Sequence, residues 1–170
     1  QAYWQNRLAT LAPAPELPLT KPLGKITEPH FTRRSGTLSP SQWQKLKQQG
    51  SEAGITPSGI LLAAFAKILS RWSKQPNFTL NLTLFNRLPL HPEVNQIVGD
   101  FTASLLIEIV SAGCHNFLEL AHRIQTQLWD DLDHRYFSGV EVLRQLARQQ
   151  QPVTEALMPV VFTSTLTQDH

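Results

Sequence analysis

The stretch Phe78-Thr79-Leu80-Asn81-Leu82-Thr83-Leu84 alternates strictly between apolar and polar side chains. Successive side chains of a strand point to opposite faces, so this period of two predicts a half-buried β-strand with its leucines on a core. Phe101, Ala103, Leu105, Ile107 and Ile109 repeat the pattern and predict a second strand. Residues 159–165 form a third candidate and residues 31–38 a fourth. On the second faces of these strands stand Thr83, Thr102, Ser104, Thr163 and Thr165. Such hydroxyls either line a wet cavity or are ordinary strand threonines.

Helix starts surround the strands. Ser39 followed by Pro40 and Gln42 is a capping box with proline at the first helical position, and Thr56-Pro57 repeats the device. Gly54 fits a left-handed terminator between these two helices, and Leu61, Phe65, Ile68 and Trp72 mark the face of the second that is expected in the core. Asn116 with Glu119 and Ser138 with Glu141 open two more helices. Their apolar sets are Phe117, Ala121, Ile124 and Leu128, then Val140, Leu143 and Leu146. Four helices interleaved with strands predict an α/β fold, a two-layer sandwich with a mixed sheet packed on helices. Ahead of them Pro13, Pro15, Pro18, Pro22 and Pro29 remove amide donors, so residues 1–29 read as an extended Pro-rich linker and residues 30–170 as the folded unit.

At 170 residues, with 41% hydrophobic and 16% charged residues, the chain suits one domain with one core. Net charge is +2 and the basic residues are scattered, which disfavours nucleic acid as a partner. The apolar run of residues 59–66 is broken by Lys67 and Arg71, well short of the roughly 20 residues of a membrane helix. A single cysteine, Cys114, and no leader-like segment point to a cytoplasmic location. Because the chain starts at Gln1 and its one methionine is Met158, it is expected to be a piece of a longer polypeptide.

Few residue groups suggest chemistry. One cysteine and six histidines without paired spacing give no metal signature, and no Gly-rich loop joins a strand to a helix to cradle phosphate. Asp130, Asp131, Asp133 and His134 gather at a helix end. Carboxylates there oppose the helix dipole, so Asp133 is expected to need a partner such as Arg135. Asp100 sits at the mouth of a strand, placed either to bond loop amides or to face a substrate. Thr163 lies where an apolar strand switches to hydroxyls, and its own hydroxyl is too weak an acid to act without a neighbouring base.

Taken in order, Leu11-Ala12-Pro13-Ala14-Pro15-Glu16-Leu17-Pro18-Leu19, Thr56-Pro57 with residues 61–72, Gly99-Asp100-Phe101-Thr102, residues 128–144 and Pro159-Val160-Val161-Phe162-Thr163-Ser164 resemble the C-terminal half of a heterocyclization domain. This is the cyclizing variant of the condensation domain of nonribosomal peptide synthetases. The GDFT and PVVFTS segments are similar to the cyclizing subtype in particular. Ala12 stands where the family usually has proline, and Ala103 where serine commonly follows GDFT. The family's DxxxxD signature belongs to the other half.

The resemblance implies a chloramphenicol-acetyltransferase-like lobe, one of two flanking a reaction tunnel, with residues 1–29 connecting them. It implies condensation of a carrier-bound acyl or peptidyl thioester with carrier-bound cysteine, serine or threonine, then cyclodehydration to a thiazoline or oxazoline. Thr163 is implied in the dehydration, together with an aspartate that the family places beyond PVVFTS. Asp100, Thr102 and Ser164 become tunnel candidates. No cofactor is expected to bind directly, the substrates riding on the phosphopantetheine of carrier proteins. The implied partners are the upstream and downstream carriers, the N-terminal lobe and adjacent synthetase domains. The other readings are an ordinary condensation or acyltransferase lobe, and a non-catalytic carrier-docking platform.

Overall fold

The computed structural model describes residues 2–149 and 157–166. The alternating stretch forms β1 (Asn77–Phe85), paired antiparallel with β2 (Thr102–Val110). A short strand, β3 (Val161–Thr163), runs parallel to β1 on its other side, giving a mixed sheet of order β2-β1-β3. Register puts Leu80 opposite Ile107 and Leu82 opposite Leu105, with Phe162 beside Leu82 on the other flank. One face of the sheet is therefore apolar across all three strands. Thr83, Ser104 and Thr163 share the other face.

The caps act as the sequence requires. In α2 (Pro40–Glu52), Ser39 Oγ accepts from the Gln42 amide while Gln42 Oε1 accepts from the Ser39 amide. Gly54 then turns the chain at φ 67°, a left-handed conformation that glycine adopts without a Cβ penalty. Thr56 Oγ1 caps α3 (Pro57–Trp72) by accepting from the Gly59 amide at 3.1 Å. Asn116 caps α4 (Phe117–Asp133) through the Glu119 amide. Ser138 Oγ, 3.3 Å from the Glu141 amide, stands ahead of α5 (Gly139–Gln149).

Leu62, Ala63 and Ala66 of α3 and Leu120, Ala121 and Ile124 of α4 are buried in one core with Phe78, Leu80, Leu82, Leu105, Ile107 and Ile109 of the sheet. Each fully buried leucine or isoleucine contributes roughly 1.5–3 kcal/mol of transfer free energy. Val142 and Leu146 of α5 join the same core, with Gly139 set against Ser104 of β2.

Four expectations need correction. Residues 1–29 are not extended throughout: Ala2–Arg7 form a helix, α1, whose Trp4 is 1% exposed and donates from Nε1 to the His134 carbonyl at 3.2 Å. The apolar and aromatic residues of Ala2-Tyr3-Trp4 precede the first proline and are free to coil onto the core. Second, residues 31–38 form no strand. Arg33, Arg34 and Gly36 interrupt their alternation, and Phe31 lies 94% exposed. Third, the face of α3 in the core is not the one marked by Leu61, Phe65, Ile68 and Trp72. Small Ala63 and Ala66 allow closer approach and face inward, leaving Ile68 and Trp72 exposed. Finally, the third strand is shorter than residues 159–165. Val160 already accepts from the Asn81 amide, but the ladder stops at Thr163.

The proline-dense run is tied down at its start. The Thr79 amide and hydroxyl donate to the carbonyls of Pro13 and Ala12, and the Ala12 amide donates to Glu108. From residue 24 to residue 38 every residue is exposed.

Candidate active site

A cavity of about 880 Å³ opens between the start of α3, the end of α4 and the C-terminal end of β1. Leu82, Leu84, Leu128, Leu132 and Phe162 give it apolar walls. Thr56, Ser58, Thr83, Asn86, Arg87, Asn95 and Ser164 supply its polar groups. This mixture of apolar walls with few polar groups, within roughly 300–1,000 Å³, is typical of small-molecule sites.

Of the four residues singled out by sequence, Ser164 lines this cavity, its Oγ 3.1 Å from Ser58 Oγ in the first turn of α3. Thr163 does not itself line the cavity; it is exposed, and its hydroxyl donates at 3.0 Å to Oγ1 of Thr83, which does. Among the described residues no carboxylate or imidazole bonds to Thr163. Asp100 and Thr102 stand outside the cavity and are exposed. Asp100 Oδ1 accepts from the Thr102 amide at 2.8 Å, and bonds from the Thr102 hydroxyl and amide hold the Asp100 carboxyl below the usual range. It is thus engaged by its own turn. Register places Thr102 opposite Phe85 and Thr163 beside Thr83, so the two threonines flank the same end of β1.

Two charged groups take places that local sequence does not assign them. At the helix end it is Asp131, not Asp133, that is enclosed: Asp131 has no exposed surface, whereas Asp133 is exposed. Asp131 Oδ1 accepts from Tyr3 Oη at 2.7 Å, Arg7 Nη1 at 2.5 Å and Gln127 Nε2 at 3.0 Å, while its Oδ2 has no partner among the described residues. Burial pushes its carboxyl above the ordinary range, outweighing the bonds from Tyr3 and Arg7 that favour the anion. Burial and the bond to Asp131 together raise the Tyr3 phenol to about 12. The available signal was position: Asp131 falls seven residues after Ile124, on the inward stripe of its helix. The second group, Arg87, follows an alternating strand without any motif around it. Its guanidinium donates to the carbonyls of Val94 and Ile97.

The chain matches the condensation-domain family over residues 1–170. It is 46% identical over 164 residues to pyochelin synthetase PchF of Pseudomonas aeruginosa, covering 95% of this chain and 9% of that protein. With phenyloxazoline synthase MbtB of Mycolicibacterium paratuberculosis it shares 41% identity over 164 residues, 96% of this chain and 14% of the relative. Among solved structures it is similar to the EpoB cyclization-docking bidomain of a nonribosomal peptide synthetase from Sorangium cellulosum. The TM-score there is 0.88 at 44% identity, covering 99% of this chain and 34% of that one.

Proposed function

Since this chain belongs to the condensation-domain family of nonribosomal peptide synthetases and spans one lobe of that domain, we propose that it is the C-terminal lobe of a heterocyclization domain. The family catalyses peptide-bond formation. In this reading the acceptor amine attacks the donor thioester and the donor carrier's thiol leaves. The acceptor's own thiol or hydroxyl then adds to the new amide carbonyl, and the resulting hydroxyl departs as water as the ring nitrogen gives up its proton. Holding two tethered reactants together is worth about 7–11 kcal/mol of barrier and serves the first step. The dehydration needs a proton donor and acceptor in reach, which typically contributes about 10²–10⁴ in rate.

The observation that carries this reading is the exposed Thr163 hydroxyl bonded to Thr83, a half-buried residue of the cavity lining near the end of β1. The Thr163 hydroxyl can pass or orient a proton there but cannot ionise unaided, so it requires a base from outside the described residues. Ser164 and Thr102 would contact the tethered chains, and Asp100 would hold the turn that presents Thr102. Substrates would arrive on phosphopantetheine arms of carrier proteins. The lobe alone would form no product, because the opposing wall of the tunnel belongs to the other lobe.

Intact-protein mass spectrometry of the downstream carrier, after reaction with the complete two-lobed domain, tests this. The expected product is one water lighter than the condensed amide. A product that accumulates only as the amide would make this an ordinary condensation lobe.

A further inference from the structure

Residues 86–101 leave β1 and return to β2 as one loop whose neck is closed by the Asn86 amide donating to the Phe101 carbonyl at 2.9 Å. Inside it, Val94–Gln96 form a single 3-10 turn. Little else fastens the loop. Leu90, Ile97 and Val98 are 79%, 51% and 100% exposed, and the remaining hydrogen bonds of residues 88–99 run between neighbours a few positions apart.

Arg87 is the exception. Its Nη1 donates to the Val94 carbonyl at 2.5 Å and to the Ile97 carbonyl at 2.9 Å, one at each end of the 3-10 turn. The same guanidinium lies 4.0 Å from the ring centre of Phe101 and 5.3 Å from that of Phe85, the aromatic residues on either side of the neck. A planar cation that stacks and bonds at once fixes position and direction together, which an ammonium cannot do. Asn95, between the two carbonyls so held, lines the cavity, as does Arg87.

We infer that Arg87 is a positioning residue, clamping the 88–99 loop to the sheet so that Asn95 forms a fixed wall of the substrate cavity. The inference rests on the proposed function only in taking that cavity as the place where the tethered substrates lie. Arg87 acts through the loop and takes no part in bond making.

The test uses the complete domain carrying Arg87→Met or Arg87→Lys, with two readouts. By hydrogen–deuterium exchange, Arg87→Met, which removes both charge-assisted bonds to the loop, should speed exchange across residues 88–99 by about tenfold or more, while residues 57–72 stay protected. In steady-state kinetics of amide formation, KM for the carrier-bound acceptor should rise about tenfold and kcat change less, with Arg87→Lys between the native protein and Arg87→Met in both readouts. Unchanged exchange in the loop, or an Arg87→Lys protein equal to native, would overturn the inference. Should Arg87→Met fail to fold, Arg87→Lys carries both readouts. Neither readout requires ring formation, so a native domain that stops at the amide would refute heterocyclization and leave the Arg87 test standing.

Discussion

Asp131 is a carboxylate sealed from solvent, with Tyr3, Arg7 and Gln127 converging on one of its oxygens. Removing the partner of a buried ion leaves a charge without compensation, which typically costs about 3–5 kcal/mol. Arg7→Met should therefore lower the unfolding free energy by about that much in urea denaturation, and a loss below about 1 kcal/mol would show that Asp131 is held by its neutral partners. Tyr3 adds a pH signature. Its phenol loses its proton near 10 when unfolded but near 12 when folded. Between those values the unfolded chain gives up a proton the native state retains, so this contribution to stability is full below pH 10 and lost as pH rises towards 12. Tyr3→Phe should be less stable than native at neutral pH, with the gap narrowing through this window. A constant gap would contradict the assignment. The bonds from Tyr3 and Arg7 to Asp131 could not be read from local sequence, because they join residues more than a hundred positions apart, whereas Gln127 reaches Asp131 from one turn earlier in the same helix. Thr163 is singled out only by the family resemblance; its strand alone favours an ordinary structural role.

At the level of elements, the caps and the two long strands were legible because their signals are local. Ser39, Thr56, Asn116 and Ser138 each bond an amide three residues on. The face of α3 was not legible. With Ile60, Leu61, Leu62, Phe65, Ile68, Leu69 and Trp72 the helix is apolar nearly all round, and periodicity cannot choose a stripe when small alanines elsewhere permit tighter packing. The seat of α5 offers a test. A Cβ on Gly139 would lie 2.8 Å from the backbone carbon and oxygen of Ser104, so a methyl group must push the helix off β2. Gly139→Ala should cost about 1–3 kcal/mol in chemical denaturation, the usual toll of overpacking. Gly36→Ala, with nothing within 4 Å, should be near neutral. Equal effects at the two positions would refute the close contact.

Viewed whole, the described residues form a three-stranded sheet packed against helices, with β2 and β3 at its two edges. β3 is an edge strand among the described residues, Val161 on it is exposed, and Ile68 and Trp72 stand exposed on α3. An unpaired edge with apolar neighbours is a template for association. The isolated 170-residue chain should show a light-scattering mass that rises with concentration, and a constant monomer mass would contradict this. The α/β class and the family were legible in sequence because short motifs recur in order along the chain. The cavity was not, since its walls come from α3, α4, β1, β3 and the loop that follows β1. In the proposed reading, the lobe's contribution to ring closure rests on the Thr163 hydroxyl, bonded to Thr83 at the rim of that cavity. The most direct test compares native, Thr163→Ala and Thr163→Ser forms of the complete domain by the mass of the carrier-bound product. The account predicts that the native form and the serine variant yield the dehydrated ring while the alanine variant stops at the amide, with ring formation slowed by about 10²-fold or more. An alanine variant that closes the ring at the native rate would return Thr163 to the role of an ordinary strand residue.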